Sequence, residues 1–119
     1  MRQRRGRVWP TRAASESTGE VRYLAELHRL EGTLHAAGND RRAAERCFRE
    51  AVTMAHEQGE RFWELRAATS WARLALESGT RAAARRTHHD RLTGLVTSFD
   101  EGADTADLQE ARQLLADLA

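Results

Sequence analysis

Five glycines divide most of this chain into stretches of helical length: Gly19, Gly38, Gly59, Gly79 and Gly102 stand 19, 21, 20 and 23 residues apart. Each interval carries apolar residues at helical spacing. Glycine enters the left-handed backbone conformation without a Cβ clash, so a glycine after each periodic stretch reads as a helix stop. Two helices per unit give a repeat of about 41 residues, the size of helix-pair units that stack into solenoids. The spacing predicts an all-α chain of antiparallel helical hairpins, five helices in all.

The 119 residues suffice for one domain with a modest core. The charge is near balance, with 19 basic residues, all arginine, against 18 acidic ones, but it is unevenly placed. Arg2, Arg4, Arg5, Arg7 and Arg12 precede the first acid, Glu16; from residue 13 onward 14 arginines face 18 acids, a formal −4. A body of that sign has no general attraction for a polyanion, so a nucleic-acid role would rest on the N-terminal arginines. Residues 1–18 lack an apolar period and the hydrophobic content that offsets ordering entropy, and read as a basic flexible leader; residues 19–119 read as the helical domain. The single cysteine, Cys47, cannot form an intramolecular disulfide, and the chain carries no secretory signal pattern, which points to the cytoplasm. No apolar run approaches the roughly 18 residues of a membrane span.

Ser17 and Glu20 fit a capping box, so the first helix is expected to begin there, with Val21, Leu24, Leu27, Leu30 and Leu34 facing inward and Arg22, Glu26, Arg29 and Glu31 lying largely outside that stripe. Asn39 or Asp40 can cap the second helix, whose stripe is Ala44, Cys47, Phe48, Ala51, Val52 and Ala55. Phe62, Leu65, Ala68, Trp71, Ala72 and Ala75 mark the third. Thr80 can cap the fourth, whose apolar positions Ala84, Leu92, Leu95, Val96 and Phe99 are interrupted by polar residues and by Gly94, where a bend or early end is expected. Asp104 or Thr105 can cap the fifth, with Leu108, Ala111, Leu114, Leu115 and Leu118 inward.

Placing Gly38 on Gly79 matches Leu27 with Ala68, Leu30 with Trp71 and Leu34 with Ala75, and, after one skipped residue, Ala44 with Ala84 and Val52 with Leu92. Leu27, Leu30, Leu34, Gly38, Ala44, Phe48 and Ala51 resemble the tetratricopeptide signature, in which small residues let helices approach and large ones fill the wedge between them. The second hairpin departs from it, with His88 and Arg91 where an aromatic and a small residue belong. The strings AELHRLEGTL (25–34), RCFREAVTMAHEQGERFWELRAATSWARL (46–74) and DEGADTADLQEARQLLADL (100–118) resemble the C-terminal repeat segment of bacterial regulators that join a nucleotide cyclase or a transcriptional output domain to an ATPase module and a tetratricopeptide tail. The resemblance implies a right-handed solenoid fragment of two hairpins plus a closing helix, with a docking or sensing role in bacterial signalling.

No motif for chemistry accompanies it. There is no phosphate-binding loop and no nucleophile elbow, and Cys47 lies on the cleanest apolar stripe, where an inert thiol outweighs a reactive one. His88, His89 and Asp90 are adjacent, so their side chains diverge by about 100° on a helix, which suits a solvated face better than a metal. Trp63 and Trp71 read as packing residues rather than a ligand cage. No cofactor or metal is expected, and the chain reads as non-enzymatic. In tetratricopeptide hairpins the first helix lines the concave side, which implies a protein-binding surface of His28, Gly32 and His35 in one unit and Arg66, Thr69, Arg73 and Glu77 in the next. Arg66 and Arg73 could clasp an acidic peptide, or pair with neighbouring acids on a solvated face. Two units leave apolar end faces, so the partner is another protein, or a second copy in a homodimer formed through an end face. The alternative is a nucleic-acid accessory protein that uses the arginine leader, and a small-molecule or enzyme domain would require a deep pocket with convergent polar groups.

Overall fold

The computed structural model describes residues 18–99 and 105–119, and every element among them is helical: α1 (Thr18–Ala37), α2 (Arg41–Glu57), α3 (Arg61–Glu77), α4 (Ala82–Thr97) and α5 (Ala106–Leu118). None of these helices is long and apolar enough to cross a membrane. Ser17, Asp104 and Gly102, expected at helix boundaries, lie outside the described residues, as do the leader arginines. Gly19, expected as a turn, sits in the first turn of α1.

Three turns share one geometry. The residue with positive φ is Asn39 (66°), Gly59 (70°) and Gly79 (69°), spaced 20 apart. At each, the next amide reaches back to a carbonyl five residues earlier: Asp40 to His35 at 2.9 Å, Glu60 to Ala55 at 2.9 Å and Thr80 to Ala75 at 3.1 Å. These 6→1 bonds satisfy the last free carbonyls of the helix. After α1 the left-handed position is therefore filled by asparagine, which tolerates it through its short polar side chain, and Gly38 stands one residue too early. The hairpin period is 40 residues, with no skipped residue. Ala25 then corresponds to Leu65, Gly32 to Ala72, Ala44 to Ala84, Phe48 to His88 and Val52 to Leu92. The matches of Leu27, Leu30 and Leu34 with Ala68, Trp71 and Ala75 are off by one, and one residue turns a helix face by about 100°.

That shift inverts the reading of α1. Ala25 and Gly32 are buried, whereas Leu27, Leu30 and Leu34 are 37 %, 45 % and 73 % exposed and Tyr23 is 65 % exposed. The ring of Phe48 explains the choice. It lies so tightly on Gly32 that only a helix face without side chains can seat it. The other stripes face inward for the most part: Ala44, Phe48, Ala51, Val52 and Ala55 on α2, Leu65, Ala68, Ala72 and Ala75 on α3, and Leu108, Ala111, Leu114 and Leu118 on α5 are buried, Cys47, Trp71 and Leu115 are half-buried, and Phe62, expected inward at the start of α3, is exposed. Alanine supplies ten of the nineteen buried apolar residues among those described, and such small side chains bring helix axes close. Each helix packs on the next; α3 also touches α1 and α5, whereas α2 and α4 do not meet. The odd helices thus lie against one another, while each of the two even helices packs only on odd ones.

Asp40 caps α2 by accepting from the Ala43 amide at 3.2 Å, and Thr105 caps α5 by accepting from the Leu108 amide at 3.2 Å. Thr80 does not cap α4: its hydroxyl donates to the Ala75 carbonyl, and the N-cap is Arg81, with no side-chain bond. Nor does α4 stop at Gly94; it runs on to Thr97, and the glycine faces open space.

Candidate interaction surface

The expected site residues divide into those spent on the fold and those left outward. Arg66 of α3 reaches the Glu26 carboxylate of α1 at 3.4 Å and the Asp107 carboxylate of α5 at 3.7 Å, and its guanidinium lies 5.4 Å from the centre of the Trp63 ring. Glu26 is also gripped by Arg29, whose Nε and Nη2 donate to its two oxygens at 2.9 and 2.7 Å. The remaining Arg29 nitrogen donates to Ser70 Oγ at 3.3 Å. The hydrogen bonds that Arg29 donates to Glu26 raise the Arg29 pKa, outweighing the opposing effect of burial. Glu26 and Arg29, expected outside the packed face, instead sit at the α1–α3 contact.

Arg73 pairs with Glu110 of α5. Thr69 is buried, and its hydroxyl donates to the Leu65 carbonyl at 2.7 Å. Glu77 is exposed and shares a cavity of about 140 Å³ with Arg73, Ser70 and Thr33. His28 lies 3.6 Å from Glu31, and His35 is exposed at the end of α1. The structure brings Arg66 and Arg73 onto the layer shared by α1, α3 and α5, each beside an acid from another helix. It does not bring Gly32 to a surface, because Phe48 covers it. The i,i+3 spacing of Glu26 and Arg29 is legible in the sequence; the partners Asp107 and Glu110 become neighbours only after the helices stack.

A second cluster gathers around Trp71 of α3, with side chains from α2 and α4. His88 is buried, 6 % exposed, with its ring 5.0 Å from the Trp71 ring in an edge-on arrangement. Arg91 donates to His88 Nδ1 at 3.1 Å and stacks 4.5 Å from the Trp71 centroid, with Arg49 on the same ring at 5.7 Å. Burial first, and the Arg91 charge second, push the His88 pKa down to about 4. The neutral imidazole is therefore the resident form, and it fills the place that Phe48 fills in the first hairpin. Trp63 and Trp71 are both half-buried, as packing residues. His89 lies beside Asp90 at 3.5 Å, and no group of three or more potential metal ligands occurs among the described residues. Burial raises the Cys47 thiol pKa, which keeps it protonated and slow to react.

A cleft of about 420 Å³ lies between α4 and the end of α5, lined by Ala82, Arg85, Arg86, His89, Leu118 and Ala119. Its volume falls within the range of small-molecule sites, and its polar side chains are Arg85, Arg86 and His89, with no side-chain carboxylate among them.

The remaining candidate is the outer face of α1. Tyr23, Leu27, Leu30 and Leu34 follow one another at spacings of four, three and four residues, so they form one row along the helix, opposite the Ala25–Gly32 face that packs inward. The corresponding residues of α3 are Ala67, Ser70 and Leu74 for Leu27, Leu30 and Leu34. Ala67 and Leu74 are buried, and Leu74 packs in a cluster with Ala36, Ala44 and Phe48 of the first hairpin. What the first hairpin covers on α3 is left uncovered on α1.

No protein-family model matches this chain, and no curated protein or solved structure matches it significantly.

Proposed function

We propose that this chain is a non-enzymatic protein–protein interaction module, built of two tetratricopeptide-like hairpins and a closing helix, that serves as a docking or sensing segment of a bacterial signalling system. The bacterial and signalling parts rest on the resemblance of residues 25–34, 46–74 and 100–118 to regulator tails. The repeat part is supported by the 20-residue turn spacing, by the Gly32–Phe48 contact and by the contact of odd helices with one another. A cytoplasmic setting fits the single cysteine.

One observation carries the interaction reading: a row of four large apolar side chains on α1 stands in solvent on the face that its counterpart in α3 buries. Contiguous apolar surface is kept on a folded protein where a partner covers it. The arginine ladder is the weaker candidate surface, because Arg66 and Arg73 already hold carboxylates of the same chain.

The test is affinity capture from a lysate of the source organism with the wild type and with a Leu30→Glu/Leu34→Glu variant side by side. Proteins retained by the first and lost by the second are expected. Identical retention on both would overturn the assignment of the partner site to α1.

A further inference from the structure

Resting on that interaction reading, we infer that the partner of the α1 row is a second copy of this chain, docked α1 against α1, antiparallel, about a two-fold axis. The stock of exposed apolar surface decides which contact two copies can make. The large apolar residues that stand exposed among those described are Tyr23, Leu27, Leu30, Leu34 and Phe62, so four of the five lie on this one row. A head-to-tail contact would need a second, complementary apolar face at the α4–α5 end. Among its described residues that end buries Leu108, Leu114 and Leu118 and half-buries Val96, Phe99 and Leu115, and exposes no large apolar side chain. Among the described residues, the row itself is the one large apolar surface that a second copy can present to it. A patch that meets its own copy forms a closed, isologous pair.

Spacing and charge fit the pair. Intervals of four, three and four residues are those of alternating core positions in a two-stranded coiled coil. Side by side and parallel, two copies would set Glu26 of one against Glu31 of the other, a like-charge contact across the seam. Turning one copy end for end removes it. Leu27 then faces Leu30 of the second copy, Tyr23 faces Leu34, Glu31 comes beside Leu24 and His28, and Glu26 comes beside Thr33. Glu26 also keeps its grip on Arg29 and Arg66. The leader of the same chain is a poor occupant, because covering the row with residues 1–17 would lay arginines on leucines: its large apolar residues, Val8 and Trp9, are flanked by Arg4, Arg5, Arg7 and Arg12.

The size of the patch sets the strength. The row from Tyr23 to Leu34 takes up about 18 Å of helix, and a seam about 10 Å wide along it covers roughly 180 Å² on each copy, well below the ~800 Å² per partner of a tight complex. The dimer is a dissociating one, formed in the micromolar range and above.

Sedimentation velocity of the full chain from about 10 µM to about 1 mM tests this, with concentration bracketing the expected dissociation constant. Rising concentration should convert monomer to dimer and stop there. Leu30→Glu/Leu34→Glu should shift the midpoint upward at least tenfold with the far-ultraviolet helical signal unchanged, and Gln113→Ala, at an exposed position of α5, should leave it within twofold. In a Cys47→Ser background, Leu27→Cys mixed with Leu30→Cys should cross-link faster than either variant alone. A monomer throughout, growth beyond the dimer, a dimer indifferent to the glutamates, or preferential Leu27→Cys self-linking would each overturn the proposal. A monomeric wild type that still captures a protein through α1 would sink this inference and leave the interaction reading standing.

Discussion

A Cβ placed on Gly32 would stand 2.6 Å from Cε1 of Phe48, closer than real side-chain atoms approach. The glycine is kept at mid-helix for that contact, although glycine costs a helix about 1 kcal/mol relative to alanine. Gly32→Ala is therefore expected to destabilise the fold by about 1–3 kcal/mol as the ring or helix α1 shifts. Gly94→Ala, at an exposed mid-helix position with open space around it, should instead stabilise by roughly 0.5–1 kcal/mol. Urea unfolding of the two variants reads opposite signs; the same sign in both would refute the close-contact account of Gly32.

Reversing charge at Arg66 tests the network that ties α1, α3 and α5. Arg66→Glu puts a carboxylate between those of Glu26 and Asp107 and is expected to cost about 1–2 kcal/mol, two partly exposed pairs being lost and two repulsions gained. In a double-mutant cycle with Glu26→Gln, Arg66→Ala should show a coupling of about 0.5–1 kcal/mol. Strict additivity would mean that Arg66 is free for a ligand.

The buried imidazole makes stability depend on pH. His88 titrates at about 4 in the folded protein against an ordinary value of 6.5, so between those values the unfolded chain holds the proton and the folded one does not. Stability consequently rises with pH through this window; as pH falls from about 6.5 to about 4, up to about 3 kcal/mol is lost. His88→Phe, which repeats the residue of the first hairpin, should flatten that slope. Unfolding midpoints at about pH 4.5, 5.5 and 7 measure it; parallel profiles for wild type and variant would contradict the assignment.

Capping separates three hydroxyl or carboxyl side chains that look alike in sequence. Asp40→Ala and Thr105→Ala each remove an acceptor for a free helix amide and should cost about 1 kcal/mol. Thr80→Ala leaves the start of α4 as it is, since that side chain serves the end of α3. Amide exchange should quicken at Ala43 and Leu108 in the first two variants and stay unchanged in the first turn of α4 in the third.

Residue order alone carried the helix count, the inward stripes of α2, α3 and α5, and the caps Asp40 and Thr105, because each depends on contacts within a few positions of the chain. The face that α1 turns inward did not follow from that information. Its leucines form as regular a stripe as any other, and nothing local distinguishes it from the small-residue face opposite. The choice is made by Phe48, which arrives from α2 and needs the room that Gly32 leaves, and by Asn39, whose left-handed backbone sets the period at 40 rather than 41. The candidate surface followed the same division. Arg66 and Arg73 are legible as exposed arginines on a helix, but Glu26, Asp107 and Glu110 reach them from other helices, and ion pairing across helices exists only once stacking has brought distant charges within 4 Å. The outward row on α1 is the residue of that packing: apolar side chains that none of the described helices covers.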